Sequence, residues 1–357
     1  MSTRFTRDGS PALEQHLTEV CQQVRDGICA IIPAHRLEGI ALAGGYGRGE
    51  GGVLLSERGE RGDQPYNDLE FFVFIRGSTL LNDRRYKAAL HKLGDRLTPS
   101  AGIEVEFKII SSAALRRAKP SMFYYDLVMG HRWLIGDDRL LEKSEDHRDA
   151  TRIPLHEVTR LLFNRCSGLL FAKARLQQIR FTADDADFVA RNIAKAQLAL
   201  GDALLAAQGR YHWSCIERHQ RLDCDETLKS HHAKGVEFKL RPQRSTLTRD
   251  ELLLLHEEVS SLAQDLFLSL ESRRLRHLFP SIATYISGKI NKCPEQPWWK
   301  NILQHLHTPP VALGTRKPIE RHPRESLLHA LTKMLWIDST IHYERIHAYE
   351  TLWHRFN

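Results

Sequence analysis

Asn67-Asp68-Leu69-Glu70-Phe71-Phe72-Val73-Phe74-Ile75 joins two kinds of residue that seldom share one strand. From Leu69 to Ile75 it is aliphatic, aromatic and β-branched, which is the composition of a central, mostly buried strand. Side chains alternate along a strand, so Asp68 and Glu70 point the same way, with Cα atoms about 6.5–7 Å apart. Upstream, Ile40-Ala41-Leu42-Ala43 reads as a second buried strand running into Gly44-Gly45-Tyr46-Gly47-Arg48-Gly49-Glu50-Gly51-Gly52. Glycines there let backbone N–H groups approach a ligand closely. Downstream, Asn82 is suited to cap a helix near 83–97, with Tyr86, Leu90, Leu93 and Leu97 on its apolar side. Ile103 to Ile110 then alternates as a third strand and puts Glu104 and Glu106 on one face.

Several carboxylates converging on a buried sheet repel one another and lose hydration. A hard divalent cation removes both costs, because it takes oxygen ligands and supplies positive charge. Two such ions about 3.5–4 Å apart can bridge carboxylates and a triphosphate.

In order and flanking residues, the glycine turn, Pro65-Tyr66-Asn67-Asp68-Leu69-Glu70 and Gly102-Ile103-Glu104-Val105-Glu106-Phe107 resemble the DNA polymerase β-like nucleotidyltransferase superfamily. They are most similar to its antibiotic-modifying, kanamycin-type branch, and the motif match spans roughly residues 40–110. The resemblance implies transfer of a nucleoside monophosphate from a nucleoside triphosphate, with ATP favoured, to a hydroxyl acceptor with release of pyrophosphate. It implies Mg2+ (or Mn2+) held by Asp68 and Glu70, with Glu104 as the third, catalytic carboxylate and Glu106 as its alternate. Gly44 and Gly45 would cradle the phosphates and Arg48 would help to neutralise them. The superfamily's helical partner domain closes the nucleotide cleft and supplies basic residues to the triphosphate. Lys173 and Lys195 are the candidates here, with Arg165 behind them. Two departures stand out. Gly45 occupies a position commonly held by serine, and the stretch between Gly45 and Asp68 is longer than in the antibiotic enzymes. That insertion, residues 50–67, is a lid, a specificity loop or an inert surface loop.

After about residue 150 the strand signals fade. Helical periodicity takes over at 155–178, 185–207, 249–276 and 324–352, with a polar connection at 217–248. The expectation is an α+β chain: residues 1–150 form a small α/β catalytic domain with a mixed sheet, and 151–357 a larger all-helical domain. In 357 residues, 42% are hydrophobic and 27% charged, which excludes a disordered or fibrous chain. No run approaches the roughly 18 apolar residues of a membrane span. Residues 1–8 lack the apolar core of a secretory signal, and the six cysteines contain no CxxC pair. A cytoplasmic, thiol-reduced protein is expected. With 51 Lys+Arg against 44 Asp+Glu the formal charge is +7, which suits a polyanionic partner.

The acceptor is a small molecule or a protein, with RNA still open. Competing with this reading are a non-catalytic nucleotide-binding or scaffold protein of the same fold, and a toxin-type nucleotidyltransferase acting on tRNA. His231-His232 is passed over as a zinc site, since adjacent histidines do not share a helix face. Trp298-Trp299 is expected in a core or an interface. No P-loop signature or serine-triad arrangement is present.

Overall fold

The structure, a computed structural model, describes residues 4–55, 62–295, 297–306 and 321–356. The fold is α+β, a small mixed sheet with a larger helical portion. By its contacts the chain forms two compact units. The first holds Met1–Pro154, Gln208–Leu222 and Val236–Gln243; the second holds Leu155–Ala207, Asp223–Gly235 and Arg244–Asn357.

The first unit begins with helix α1 (Pro11–Ile31), capped by Ser10, and strand β1 (Leu37–Leu42). A five-residue helix α2 (Gly44–Arg48) follows directly. Two short strands, β2 (Val53–Leu54) and β3 (Gln64–Pro65), pair with each other. Part of the expected 50–67 loop is therefore a two-stranded ribbon; its residues 56–61 lie outside the described residues. Then come β4 (Leu69–Ile75), α3 (Thr79–Ala101), β5 (Val105–Ile110), α4 (Ser112–Arg117), α5 (Met122–Met129) and β6 (Arg132–Ile135).

The four-stranded sheet runs β5-β4-β1-β6. β4 and β5 are parallel, joined by α3 as the crossover such a pair requires, while β1 is antiparallel to both β4 and β6. Alternation along β4 divides its side chains. Leu69, Phe71, Val73 and Ile75 enter a core with α1 and α3, and Phe72 and Phe74 enter a second core with Leu115 and Leu127. Burial on both faces explains the continuous apolar run. Asp68 and Glu70 precede Phe72 on the second face, at the end of the strand that this core leaves uncovered.

α3 is longer than its sequence suggests. Ser78 is the N-cap residue, and Asn82 lies buried inside the first turn, where its Nδ2 faces the carbonyls of Ile75 and Arg76 at 3.4 Å. A Cβ on Gly94 would stand 2.4 Å from the Val105 carbonyl oxygen, so glycine is what lets α3 lie this close to β5.

The helices of the second unit are α6 (Leu155–Leu176), α7 (Ala183–Ala207), α10 (Arg249–Leu275), α11 (Ile282–Ser287), α12 (Trp298–Leu306), α13 (Arg324–Trp336) and α14 (Tyr343–Phe356). α6 and α7 pair along their lengths and α10 packs on both. The stretch expected to be a polar connection instead contains α8 (Cys215–Arg221) and α9 (Glu226–Leu240). Their apolar signal is weak because polar groups fill inward positions. His231 and His232 are buried, bonded to Gln197 and Asp202 at 2.9 and 3.1 Å. The expected 324–352 block is two helices, α13 and α14. Trp298 and Trp299 are exposed rather than in a core. Among the described residues no helix is long and apolar enough to cross a membrane.

Candidate active site

The parallel register sets Glu70 opposite Glu106 and Phe72 opposite Lys108. Asp68, Glu70 and Glu106 each bring a carboxylate oxygen to within 4.8 Å of the others. Two backbone bonds and the Tyr46 hydroxyl fix this strand end. Leu69 N–H donates to the Glu104 carbonyl at 2.8 Å, and Ala43 N–H to the Glu70 carbonyl at 2.9 Å. The Tyr46 hydroxyl accepts from Tyr66 N–H at 2.8 Å and donates to the Gly52 carbonyl at 2.8 Å, tying the glycine loop to the approach of Asp68. Asn67 has φ +79°, a left-handed conformation that asparagine tolerates better than most residues.

Crowding of like charge is visible in the titration of the cluster. Burial and the neighbouring Glu70 push the Asp68 carboxyl above its ordinary value. Burial also raises Glu106, with Lys108 opposing and Asp68 and Glu104 adding. Lys108 relieves part of the repulsion: its ammonium lies 2.6 Å from Glu70 Oε1 and 3.8 Å from Glu106 Oε2. Ion pairing with Glu70 holds Lys108 charged against the cost of its burial. Three convergent carboxylates fit a hard divalent cation by ligand chemistry.

Gly44 borders the cluster. With φ +64°, its missing Cβ would stand 3.0 Å from Glu70 Oε2, so an oxygen-rich ligand resting on this backbone would meet the carboxylates. The N–H groups of a helix's first turn have no partner within the helix, which leaves those near Gly44 and Gly45 available. Along the sheet's open edge at β5, a cavity of about 710 Å³ is lined by Glu104, Glu106, Lys108, Asp83 and Lys87 among others. Glu104 is exposed there, one residue before β5 begins and outside the three-carboxylate cluster.

Arg48 is buried and ion-paired to Asp126 at 3.0 Å; burial disfavours its charge, and Asp126 more than offsets this. Lys173 donates to the carbonyls of Met334, Leu335 and Asp338 at 3.0, 2.9 and 2.7 Å, closing the C-terminus of α13. Lys195 and Arg165 line a cavity inside the second unit.

Sequence reasoning passed over three residues. Lys108 sits two residues beyond Glu106 on the same strand face, a period-2 signal present in Glu104-Val105-Glu106-Phe107-Lys108. Glu50 is buried beneath the glycine loop, accepting from the Ser214 hydroxyl and from Cys215 N–H at 2.9 Å. Lys239, from the returning segment, is desolvated beside Arg48, Arg218 and Glu50, and burial lowers its pKa. Nothing local in the sequence links Glu50 to residues about 165 and 190 positions later.

The site thus belongs to an α+β protein with a cluster of three carboxylates beside a glycine turn. No protein-family model matches the chain, and no curated protein sequence does. Among solved structures it is similar to a spectinomycin adenyltransferase from Enterococcus faecialis, crystallised with ATP and spectinomycin. That likeness has 13% identity and a TM-score of 0.38, and covers 70% of this chain and 98% of the other. A similarity of this size fixes neither activity nor substrate.

Proposed function

We propose that the protein is a magnesium-dependent nucleotidyltransferase that moves a nucleoside monophosphate, with ATP the favoured donor, onto a hydroxyl of a small molecule or protein. The observation that carries this reading is the three-carboxylate cluster of Asp68, Glu70 and Glu106 with the Gly44 backbone against Glu70. The reading agrees with the motif order from Gly44 to Glu106, which resembles the DNA polymerase β-like superfamily.

Asp68 and Glu70 would hold the cation, with Glu106 rather than Glu104 as the third carboxylate. A divalent ion bound there supplies positive charge to the phosphoryl oxygens. Gly44 and Gly45 offer N–H groups to the triphosphate without a side chain in the way. Glu106 orients the acceptor hydroxyl and takes its proton as the oxygen bonds to the α-phosphorus. The bond from the α-phosphorus to the bridging oxygen breaks, and pyrophosphate leaves. Lys239, desolvated beside Glu50 under the glycine loop, is the cation assigned to the triphosphate in place of Lys173 and Lys195.

The test is incubation with each labelled nucleoside triphosphate, magnesium or manganese and a pool of hydroxyl acceptors, following pyrophosphate. Wild type should turn over, while Asp68→Asn and Glu70→Gln, folded by circular dichroism, should lose at least about a hundredfold. Metal-dependent nucleotide binding without turnover in any pool would instead favour the non-catalytic alternative.

A further inference from the structure

The second unit contains a cavity of its own. It measures about 830 Å³, a volume suited to a small molecule, and is walled by α6, α7 and α14. Its lining combines cations with aromatic rings. Arg165 from α6 and Lys195 from α7 face Phe171, Phe188 and Trp353, and Phe171 meets Trp353 edge to face at 5.9 Å. At its rim Tyr343 is 80% exposed and Ile179 is fully exposed, so apolar surface continues outward from the cavity.

Arg165 is the unusual member. Its surroundings desolvate it, and its charge feels Asp202 only as a neighbouring field. Among the described residues no carboxylate or carbonyl accepts a hydrogen bond from its guanidinium. Asp202 is itself bonded to His232 at 3.1 Å. The guanidinium is half-buried with no protein acceptor among the described residues, and a bound carboxylate, sulfonate or phosphate would give it paired hydrogen bonds. A second cation in the wall, Arg175, already has Asp185 at 2.7 Å. Of the lining cations this leaves Arg165 as the one for which the described residues supply no acceptor. The rest of the wall mixes aromatic rings with amide and aliphatic side chains, and Glu350 is its one carboxylate.

We infer that this cavity is a binding site for an aromatic organic anion, with its acidic group on Arg165 and its ring system against Phe171, Phe188 and Trp353. The site is independent of nucleotidyl transfer and of the Asp68 cluster.

The probe is 8-anilinonaphthalene-1-sulfonate, an aromatic anion, titrated into the full-length protein by fluorescence. One saturable site is expected. Arg165→Gln should weaken it at least about tenfold, the value of a charge-assisted hydrogen bond, and Arg165→Lys should weaken it less. The uncharged analogue N-phenyl-1-naphthylamine should bind wild type at least about tenfold more weakly. Energy transfer from protein tryptophan to bound probe should drop in Trp353→Phe, which places the probe in this cavity even if Arg165→Gln does not fold. Asp68→Asn should bind like wild type, so failure of the proposed enzyme activity leaves this result standing. Equal affinity for the charged and neutral probes, unchanged binding in folded Arg165→Gln, or unchanged energy transfer in Trp353→Phe would each overturn the assignment.

Discussion

Lys108 reaches across from β5 to place its ammonium 2.6 Å from Glu70 Oε1, where it supplies positive charge to the carboxylate cluster. A cation held by Asp68 and Glu70 would compete with that ammonium for the same oxygens. Lys108 therefore acts as an internal counter-ion that keeps the metal-free sheet end from repelling itself apart. Its side chain is 39% exposed and that of Glu70 27%, so solvent screens the pair to about 0.5–1 kcal/mol. Lys108→Met should lower the melting temperature of the metal-free protein by about 1–2 °C. Magnesium should then raise it further in the variant than in wild type. An equal magnesium-induced shift in both proteins, measured by calorimetry, would show that Lys108 and the cation do not share a site.

The two neighbouring glutamates differ in their place along the strand: Glu106 lies within β5 and Glu104 just before it. Glu106 stands in register with Glu70 and joins the cluster; Glu104 does neither. Glu106→Gln should reduce turnover by about 10²–10⁴, the range for a positioned proton acceptor, and Glu104→Gln by less than about tenfold. The two kcat values under saturating nucleotide and magnesium decide between them.

Much of this was legible in the sequence, for reasons that differ by element. The run Leu69 to Ile75 announced a central strand because both its faces are buried, and Asp68 and Glu70 stood out against it. The third carboxylate was harder. Glu104 and Glu106 share a face, and only the pairing of β5 with β4 says which one lies beside Glu70. Register is a property of two strands, and neither sequence carries it alone. α8 and α9 were missed because His231 and His232 are buried through hydrogen bonds, so the apolar period is broken at inward positions. In the sequence Lys173 is a candidate for the triphosphate, and the carbonyls it satisfies come about 160 residues later. Contacts at that separation leave no local trace.

The raised carboxyls of Asp68 and Glu106 make a signed prediction about pH. A carboxylic acid whose folded pKa exceeds its unfolded value binds protons more readily in the folded state. Its ionisation therefore destabilises the fold, from the ordinary values of 3.8 and 4.5 upward through the raised folded values. Below the ordinary values both states are protonated and the penalty is absent. Metal-free protein should lose stability from these two groups as pH rises through that window, and saturating magnesium should remove the loss. Glu50 has the opposite sign. Burial alone would raise its pKa, but Lys239 and the bonds from Ser214 and Cys215 lower it, so its contribution is present above 4.5 and lost as pH falls. The difference in unfolding free energy between wild type and Glu106→Gln isolates one raised group from this opposing background. It should shift in favour of the variant as pH rises through the window. A pH-independent difference would mean that the crowding is not felt in solution.

Glu50 and Lys239 form the last test, because their charges support each other under the glycine loop. The Glu50 carboxylate accepts from Ser214 and from Cys215 N–H at 2.9 Å, and its field partly offsets the desolvation that lowers Lys239. Glu50→Gln keeps the shape and removes the charge, leaving Lys239, Arg48 and Arg218 to repel one another. It should cost about 3 kcal/mol in denaturant unfolding, typical of breaking a buried charge set. Lys239→Met removes a cation instead and should be milder to the fold. If Lys239 serves the triphosphate, Lys239→Met raises KM for the nucleotide about tenfold with a smaller change in kcat. The pH profile separates that role from a structural one. A lysine with a lowered pKa loses its charge at a lower pH than a free lysine does, so nucleotide affinity should fall as pH rises, beginning below 10.5. Bound phosphate favours the charged form and should push that fall upward. Lys239→Met should show no such fall, and a variant with the wild-type profile would remove Lys239 from the nucleotide site.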